Sequence, residues 1–392
     1  MQQPAQHEVK GGSRLFCALA PKLFNTFNTG EVMQHFRFTT LHRVLLAALF
    51  AGAGMSSAFA QTSVNVEGLV DAFAGSMRMA GATDRTAKVD SAGMSTSYFG
   101  FRGSEDLGGG MKANFALTGF FRGDTGESGR FPGNETLFSR DANVGVSGSF
   151  GAISLGRGLA PNFLPSILFN PFGDSFTFSP LILHLNVPLF NASGWSSSLA
   201  GDTGWSNQIK YTTPTFGGLT ANLHYQFGEA AGDTGKNNIG GNLLYFSGPL
   251  SLTAFYHKVE ANNPLDTPLG NVKAVAGRVA SEQKAWFVGA GYDFNVVKLN
   301  GTFDKTTHDA DFEDKTYSVG ASAPAGNGKV LIAYAQTKRT GGGLDGSTRK
   351  TASVGYDYNL SRRTDAYAVY MNDRITGFDS GNSFGAGIRH RF

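Results

Sequence analysis

From Gln61 to the C-terminus, apolar and polar residues trade places at nearly every step. In residues 63–74, Val64, Val66, Gly68, Val70, Ala72 and Ala74 alternate with a set that includes Asn65, Glu67 and Asp71. In residues 111–122, Met111, Ala113, Phe115, Leu117, Gly119 and Phe121 alternate with Lys112, Asn114, Thr118 and Arg122. Residues 285–294 and 351–360 repeat the pattern, with Trp286, Val288, Ala290, Tyr292 and Phe294 on one face and Ala352, Val354, Tyr356, Tyr358 and Leu360 on another. A period of two means strands with one apolar and one polar face. Strands of about ten residues, repeated many times with aromatic residues near their ends, are the pattern of an outer-membrane barrel that is apolar outside and polar within. Sixteen strands are predicted, near 63–75, 95–104, 111–122, 137–149, 152–158, 205–213, 219–227, 237–247, 250–260, 281–294, 296–306, 314–323, 329–339, 348–360, 363–374 and 382–392. The fold class is therefore all-β, a sixteen-stranded antiparallel transmembrane barrel.

The connections alternate between short glycine turns, such as 108–110 and 217–218, and longer loops. An even strand count with eight long loops puts both chain ends on the short-turn, periplasmic side. In residues 137–149 the parity conflicts, because Arg140 shares a face with Val144 and Val146. A bulge or a subunit contact would resolve it.

One connection, 159–204, is far longer than the rest. It carries Pro161, Pro165, Pro171, Pro180 and Pro188, many Phe, Leu and Ile residues, and only Asp174 and Asp202 as charges. Long loops inside compact domains are functional or disordered. This apolar one is expected to fold into the lumen and narrow it. An exposed loop or a subunit contact is the alternative. A barrel of sixteen strands leaves an aqueous channel that wall side chains do not fill.

Composition narrows the function. The chain has 392 residues with 41% hydrophobic and 16% charged. Residues 33–60 read as a secretory signal: His35, Arg37, His42 and Arg43 are the basic start, 44–53 the apolar run, and Ala58-Phe59-Ala60 the cleavage site before Gln61. The domain division is thus 1–60, extension plus signal cleaved after Ala60, and 61–392, barrel. Met33 opens a signal of normal shape, which makes 1–32 an upstream extension; peptides from 1–32 in mass spectra would count against that. No stretch reaches the length of a spanning helix. Removing five basic and two acidic residues in 1–60 from totals of 33 and 30 leaves 28 of each, so the barrel is formally neutral and nucleic acid is not an expected partner. Cys17, the only cysteine, lies upstream of the barrel, which excludes a disulfide scaffold.

Residues 100–112, Gly-Phe-Arg-Gly-Ser-Glu-Asp-Leu-Gly-Gly-Gly-Met-Lys, resemble a turn motif of general Gram-negative porins of the β-proteobacterial kind. Leu137-Phe138-Ser139-Arg140, Phe150 to Arg157 and the ending Gly387-Ile388-Arg389-His390-Arg391-Phe392 are similar to the same family. The resemblance implies a homotrimeric porin that passes small hydrophilic solutes and ions, surrounded by outer-membrane lipid and lipopolysaccharide. It implies that the final strand, with Phe392 last, is the signal read by the barrel-assembly machinery. It also implies that the 159–204 loop is the eyelet, with wall cations facing a loop acid across a transverse field.

The positions matching that ladder are Arg140, Arg157 and Arg102, and Asp174 matches the loop acid. Two places depart from it: Tyr98 stands where the family usually has arginine, and Gly204-Trp205 where another basic residue is common. A thinned ladder, with Leu181, Ile182, Leu183 and Leu185 in the loop, implies a weaker field and a more apolar eyelet. A solute-specific channel is the alternative function. Lys112, Arg122, Lys210, Arg389 and Arg391 also carry lumen parity. The tryptophans fit interfacial anchoring or packing better than ligand platforms. The acids in 309–314 lack calcium-loop spacing. No cofactor, metal site or catalytic set is expected. A lipid-modifying barrel enzyme would want a Ser–His pair at the rim, and His184, nearest the eyelet, has no evident partner.

Overall fold

The computed structural model describes residues 62–130, 135–186, 203–229, 237–260, 274–275, 278–279, 282–308, 312–341 and 346–392. The signal segment and, in the long loop, Pro188, Trp195 and Asp202 lie outside the described residues.

The alternation closes into a cylinder. Its strands are β1 (Ser63–Met77), β2 (Thr86–Ser91), β3 (Tyr98–Gly108), β4 (Met111–Phe120), β5 (Asp141–Gly148), β6 (Gly151–Leu159), β7 (Gly204–Thr212), β8 (Leu219–Gln226), β9 (Asn238–Ser247) and β10 (Leu250–Val259). After a small hairpin of β11 (Ala274–Val275) and β12 (Arg278–Val279) come β13 (Gln283–Asp293), β14 (Lys298–His308), β15 (Phe312–Ala325), β16 (Gly328–Gly341), β17 (Thr348–Asn359), β18 (Thr364–Ile375) and β19 (Gly381–Arg391). β19 returns to β1, with Leu69 opposite Arg391 and Ser76 opposite Phe384. Closure leaves no open edge, which backbone groups in a bilayer require.

β2 and β3 lie end to end along β1, opposite residues 72–77 and 63–69. Seventeen strands of one sheet therefore make sixteen staves. Within residues 76–94, where a loop is expected, lies β2. Two predicted strand starts also move. The strand expected from 95 starts at Tyr98, because residues 92–97 turn inward as a buried knuckle between β2 and β3. The strand expected from 137 starts at Asp141. That resolves the parity conflict: Arg140 stands before the strand and has no sheet face to share with Val144.

Val64, Val66, Val144, Leu155, Val288, Val319, Ile332 and Val354 are exposed on the outer wall, while Asp71, Thr118, Gln208 and Thr351 are buried within. One part of the inner wall breaks the rule. Phe255, Phe287, Leu331, Ala333, Val369 and Met371 point inward and are buried. The long loop covers them.

That loop leaves β6, forms α1 (Phe163–Leu168), turns through residues 169–179 and forms α2 (Pro180–Leu185). α2 starts where it does because Ser179 caps it, its hydroxyl accepting from the Ile182 N–H, and Pro180 supplies a fixed first turn. Phe172, Phe178 and Leu183 pack on Phe73, Met94, Leu331, Tyr367, Val369 and Met371. Leu181 packs on Phe255, Ala285 and Phe287. Burying each such side chain contributes roughly 1.5–3 kcal/mol. The wall is cut to receive them: a Cβ on Gly320 would sit 2.4 Å from Pro171 and one on Gly385 would sit 2.7 Å from Phe178. Hydrogen bonds fix the depth. Ser353 donates to the Phe178 carbonyl at 2.7 Å, Arg349 to that of Leu183 at 3.0 Å and Asn242 to that of Pro161 at 2.8 Å.

Candidate functional site

The loop packs against β1, β9, β10, β13 and β15–β19, and the cation recess lies on the other side, at β3–β7. The register there sets five inner positions at one level: Arg102 opposite Ala116, Ala116 opposite Asn143, Asn143 opposite Gly156 and Gly156 opposite Gln208. Around that level is a recess of about 170 Å³ lined by Arg102, Arg140, Asp141, Arg157, Gln208 and Lys210, among others.

Asp141 organises the cations. Its carboxylate accepts from Arg102 at 2.6 Å, from Arg140 at 2.8 Å and from the Thr118 hydroxyl at 2.8 Å. Arg102 also reaches Glu67 at 2.5 Å. The Arg140 guanidinium lies 4.0 Å above the Tyr98 ring. Tyr98 therefore supports Arg140 from one face. Arg157 is buried and donates to the Ser139 carbonyl at 2.5 Å and to Ser206 at 3.2 Å. Lys210, opposite Ser154, has no ion pair or hydrogen bond among the described residues. Four cations thus surround one shared carboxylate, with Glu67 beyond it.

The loop acid lies against the 92–97 knuckle. Asp174 accepts a 2.8 Å hydrogen bond from Ser95, a knuckle residue that also receives one at 2.8 Å from Arg389. Enclosure pushes the Asp174 carboxyl upward, while Ser95, Arg389 and Arg140 oppose that shift. Ser175 and Thr177 donate to the Gly93 and Ala92 carbonyls at 2.6 and 2.8 Å, so the loop tip is stitched to the knuckle. The knuckle is itself held by Asp71, whose carboxylate accepts from the N–H groups of Gly93, Met94 and Ser95 at 3.1, 2.9 and 2.8 Å and from the Tyr367 hydroxyl.

One expectation is corrected. Leu181, Ile182 and Leu183 do not line the eyelet; they are buried against the wall, because the apolar face of α2 needs a partner and the inner wall provides one. At β7 the position expected to lack a cation does lack one: Gly204 and Trp205 carry no charge, and Lys210 on the same strand reaches the recess. Its level follows from the β6–β7 register, which a count along the sequence does not reveal.

Lys112 lies close to the short turn, opposite Ser147, and Arg122 lies beyond β4 in an outer loop, paired with Asp124 at 3.0 Å and Glu127 at 2.9 Å. Both stand apart from the recess. Trp205 is buried between His224 and His257, while Trp286 is exposed on the outer wall beside Phe303. Glu313 and Asp314 face opposite sides, toward Lys305 and Lys315 outside and Arg339 inside. His184 does have partners: its two ring nitrogens bond the Thr337 and Thr351 hydroxyls at 2.7 and 2.8 Å. Burial, with Arg349 adding to it, holds its pKa well below the usual range. Both bonds tie the loop to the wall strands β16 and β17.

The profile of the Gram-negative porin family matches residues 45–377. The chain belongs to that family. Outer membrane porin protein 32 of Delftia acidovorans is 32% identical over 335 residues, 82% of this chain and 87% of that one. An outer membrane porin protein of Bordetella pertussis is 28% identical over 414 residues, 90% of this chain and 100% of that one. Among solved structures, the anion-selective porin from Comamonas acidovorans superposes with a TM-score of 0.68 at 29% identity, covering 85% of this chain and all of its own. OmpT of Vibrio cholerae, in its trimer form, superposes at 0.61 with 15% identity, covering 84% of this chain and 99% of its own, and supports the fold alone. This porin resides in the outer membrane of a Gram-negative cell and forms a channel for passive diffusion of solutes. Its relatives are channels, and porins of the family are generally trimeric.

The residues missed by sequence are Asp141, Ser95, Asp71 and Tyr367. Asp141 carried a usable signal, since it is an acid directly beside a motif arginine. Ser95 and Asp71 carried none, because the knuckle that joins them interrupts a predicted strand.

Proposed function

We propose that this porin's constriction favours anions. The observation that carries the reading is the recess at β3–β7, where Arg102, Arg140, Arg157 and Lys210 face Asp141 and Glu67, while the described part of the loop offers Asp174 alone. Cations outnumber acids, and Lys210 makes no hydrogen bond or close ion pair among the described residues. A permeating anion exchanges part of its hydration for these charges, whereas a cation meets repulsion. The name of the Comamonas structure, an anion-selective porin at 29% identity, supports the same sign. The alternative of an apolar, solute-specific eyelet loses its basis once the leucines are on the wall.

The partners belong to the same reading. β5–β8 are eight or nine residues long, against fourteen in β15 and β16. A spanning strand needs roughly 9–11 residues, so the short side is better sealed by other copies than by lipid. That supports a homotrimer. Phe384 and Ile388 on the last strand, and Phe392 just beyond it, are exposed, which supports a role as the signal for the assembly machinery. Lipopolysaccharide surrounds the outer half, and residues 33–60 act as the export signal.

In planar bilayers with a potassium chloride gradient, the purified porin is expected to reverse at a potential of the sign set by chloride, with current entering in steps of three. A reversal potential set by potassium would overturn the anion reading.

A further inference from the structure

On the outer wall, just loop-ward of an exposed aromatic row that includes Tyr256, Trp286, Tyr317, Tyr334 and Tyr370, runs a belt of charge. The register places like charges directly opposite one another. Lys258 faces Lys284, Lys305 faces Lys315, Lys315 faces Lys338, and Lys350 faces Arg374. Cross-strand pairs of like charge are unfavourable unless something neutralises them.

Half of the belt is neutralised by the chain itself. Glu282 bridges Lys258 and Lys284 at 3.0 and 2.6 Å, and Glu313 bridges Lys305 and Lys315 at 2.8 Å each. The other half is not. Lys338, Lys350 and Arg374, on the adjacent strands β16, β17 and β18, are exposed and have no acidic partner among the described residues. A recess of about 280 Å³ opens there, lined by Lys350, Arg374, Thr348, Thr376, Phe378 and Ser380. It combines two cations, three hydroxyls and an exposed phenyl ring.

We propose that Lys338, Lys350 and Arg374 form a binding site for the phosphorylated headgroup of an outer-leaflet lipid, the lipid A part of lipopolysaccharide. Arginine and lysine make charge-assisted bonds to phosphate oxygens, and the hydroxyls supply neutral donors. Position selects the source of the phosphate. The recess opens on the bilayer side, at the level where outer-leaflet headgroups begin. Directly below it, Tyr370, Val354 and Ile332 offer an apolar surface to acyl chains. A free phosphate ion has no use for that surface. The bound headgroup supplies the negative charge that Glu282 and Glu313 supply farther around the barrel. The site rests on the proposed partnership with lipopolysaccharide and names where on this chain it is made.

Native mass spectrometry of the delipidated full barrel, titrated with lipid A and with lipid A stripped of its phosphates, tests the site. Wild type is expected to bind lipid A at least tenfold more tightly than the dephosphorylated form. Lys338→Gln, Lys350→Gln and Arg374→Gln combined are expected to lower lipid A affinity at least tenfold. Lys258→Gln with Lys284→Gln, whose charges Glu282 already meets, is expected to change it less than twofold. These side chains point away from the pore, so conductance stays at the wild-type value and reports correct folding. Equal binding by wild type and the triple variant, or displacement of lipid A by an equal concentration of inorganic phosphate, would overturn the site. Failure of wild type to prefer the phosphorylated lipid would overturn the partnership itself.

Discussion

Arg102→Gln, Arg140→Gln and Lys210→Gln together are expected to turn the channel from anion-preferring to cation-preferring. Coulomb's law gives roughly 0.5–1 kcal/mol per unit charge for an ion about 8 Å away in a water-like medium, about a two- to sixfold change in local ion concentration for each cation removed. Three removals multiply. They also uncover Asp141, which loses both arginines, and Glu67, which loses Arg102. The sign at the constriction then passes to carboxylates, and the effect exceeds simple loss of preference. Reversal potentials of wild type and variant under one salt gradient provide the check, with heat-dependent gel mobility confirming that the barrel has closed. Lys210→Gln alone breaks no pair and is expected to shift the potential part of the way without affecting stability. A triple variant that kept the wild-type reversal potential would mean that ions do not pass beside β3–β7.

Asp71→Asn is expected to loosen the eyelet from behind. The carboxylate is fully buried and accepts from three backbone N–H groups and Tyr367. An amide of the same shape turns a donor toward donors. Losing charge-assisted bonds and burying an unmatched N–H costs on the order of 2–4 kcal/mol. The knuckle carries that loss to the loop, because Ser95, Gly93 and Ala92 hold Asp174, Ser175 and Thr177. Single-channel traces of the variant are expected to show rapid current fluctuation at near wild-type mean conductance, and the midpoint of heat-induced mobility change is expected to fall by several degrees. Tyr367→Phe removes one donor of the four and is expected to show a smaller form of both effects. Quiet currents and an unchanged midpoint in Asp71→Asn would show that the loop tip is held by its apolar anchors alone.

Much of this was legible in the alternation. Sixteen staves, the short-turn end and the inward loop all follow from the period of two and from one connection too apolar to lie in water. The illegible parts share a cause, which is that the loop changes what the inner wall wants. Val330-Leu331-Ile332-Ala333, Ala366-Tyr367-Ala368-Val369-Tyr370-Met371 and Ala285-Trp286-Phe287-Val288 are apolar on both faces. In a water-filled barrel they would be anomalies. They are the footprint of Phe172, Phe178, Leu181 and Leu183. Read as a footprint, they would have shown that the loop leucines face the wall and not the pore. The cation recess was legible residue by residue at Arg102, Arg140 and Arg157, but not as a cluster. Lys210 joins it through a register between strands separated by the whole loop, and no spacing in the sequence encodes that.

The most direct test of the constriction uses the absence of cysteine from the barrel, where Lys210→Cys places a single thiol in the recess. Single-channel current is recorded while a negatively charged and then, on fresh protein, a positively charged thiosulfonate of similar size is added. A constriction beside β3–β7 predicts that both reagents lower the conductance, and that the negative one moves the reversal potential toward potassium while the positive one returns it toward the wild-type value. A thiol that reacts with both reagents, confirmed by mass, without changing current or reversal potential would contradict it.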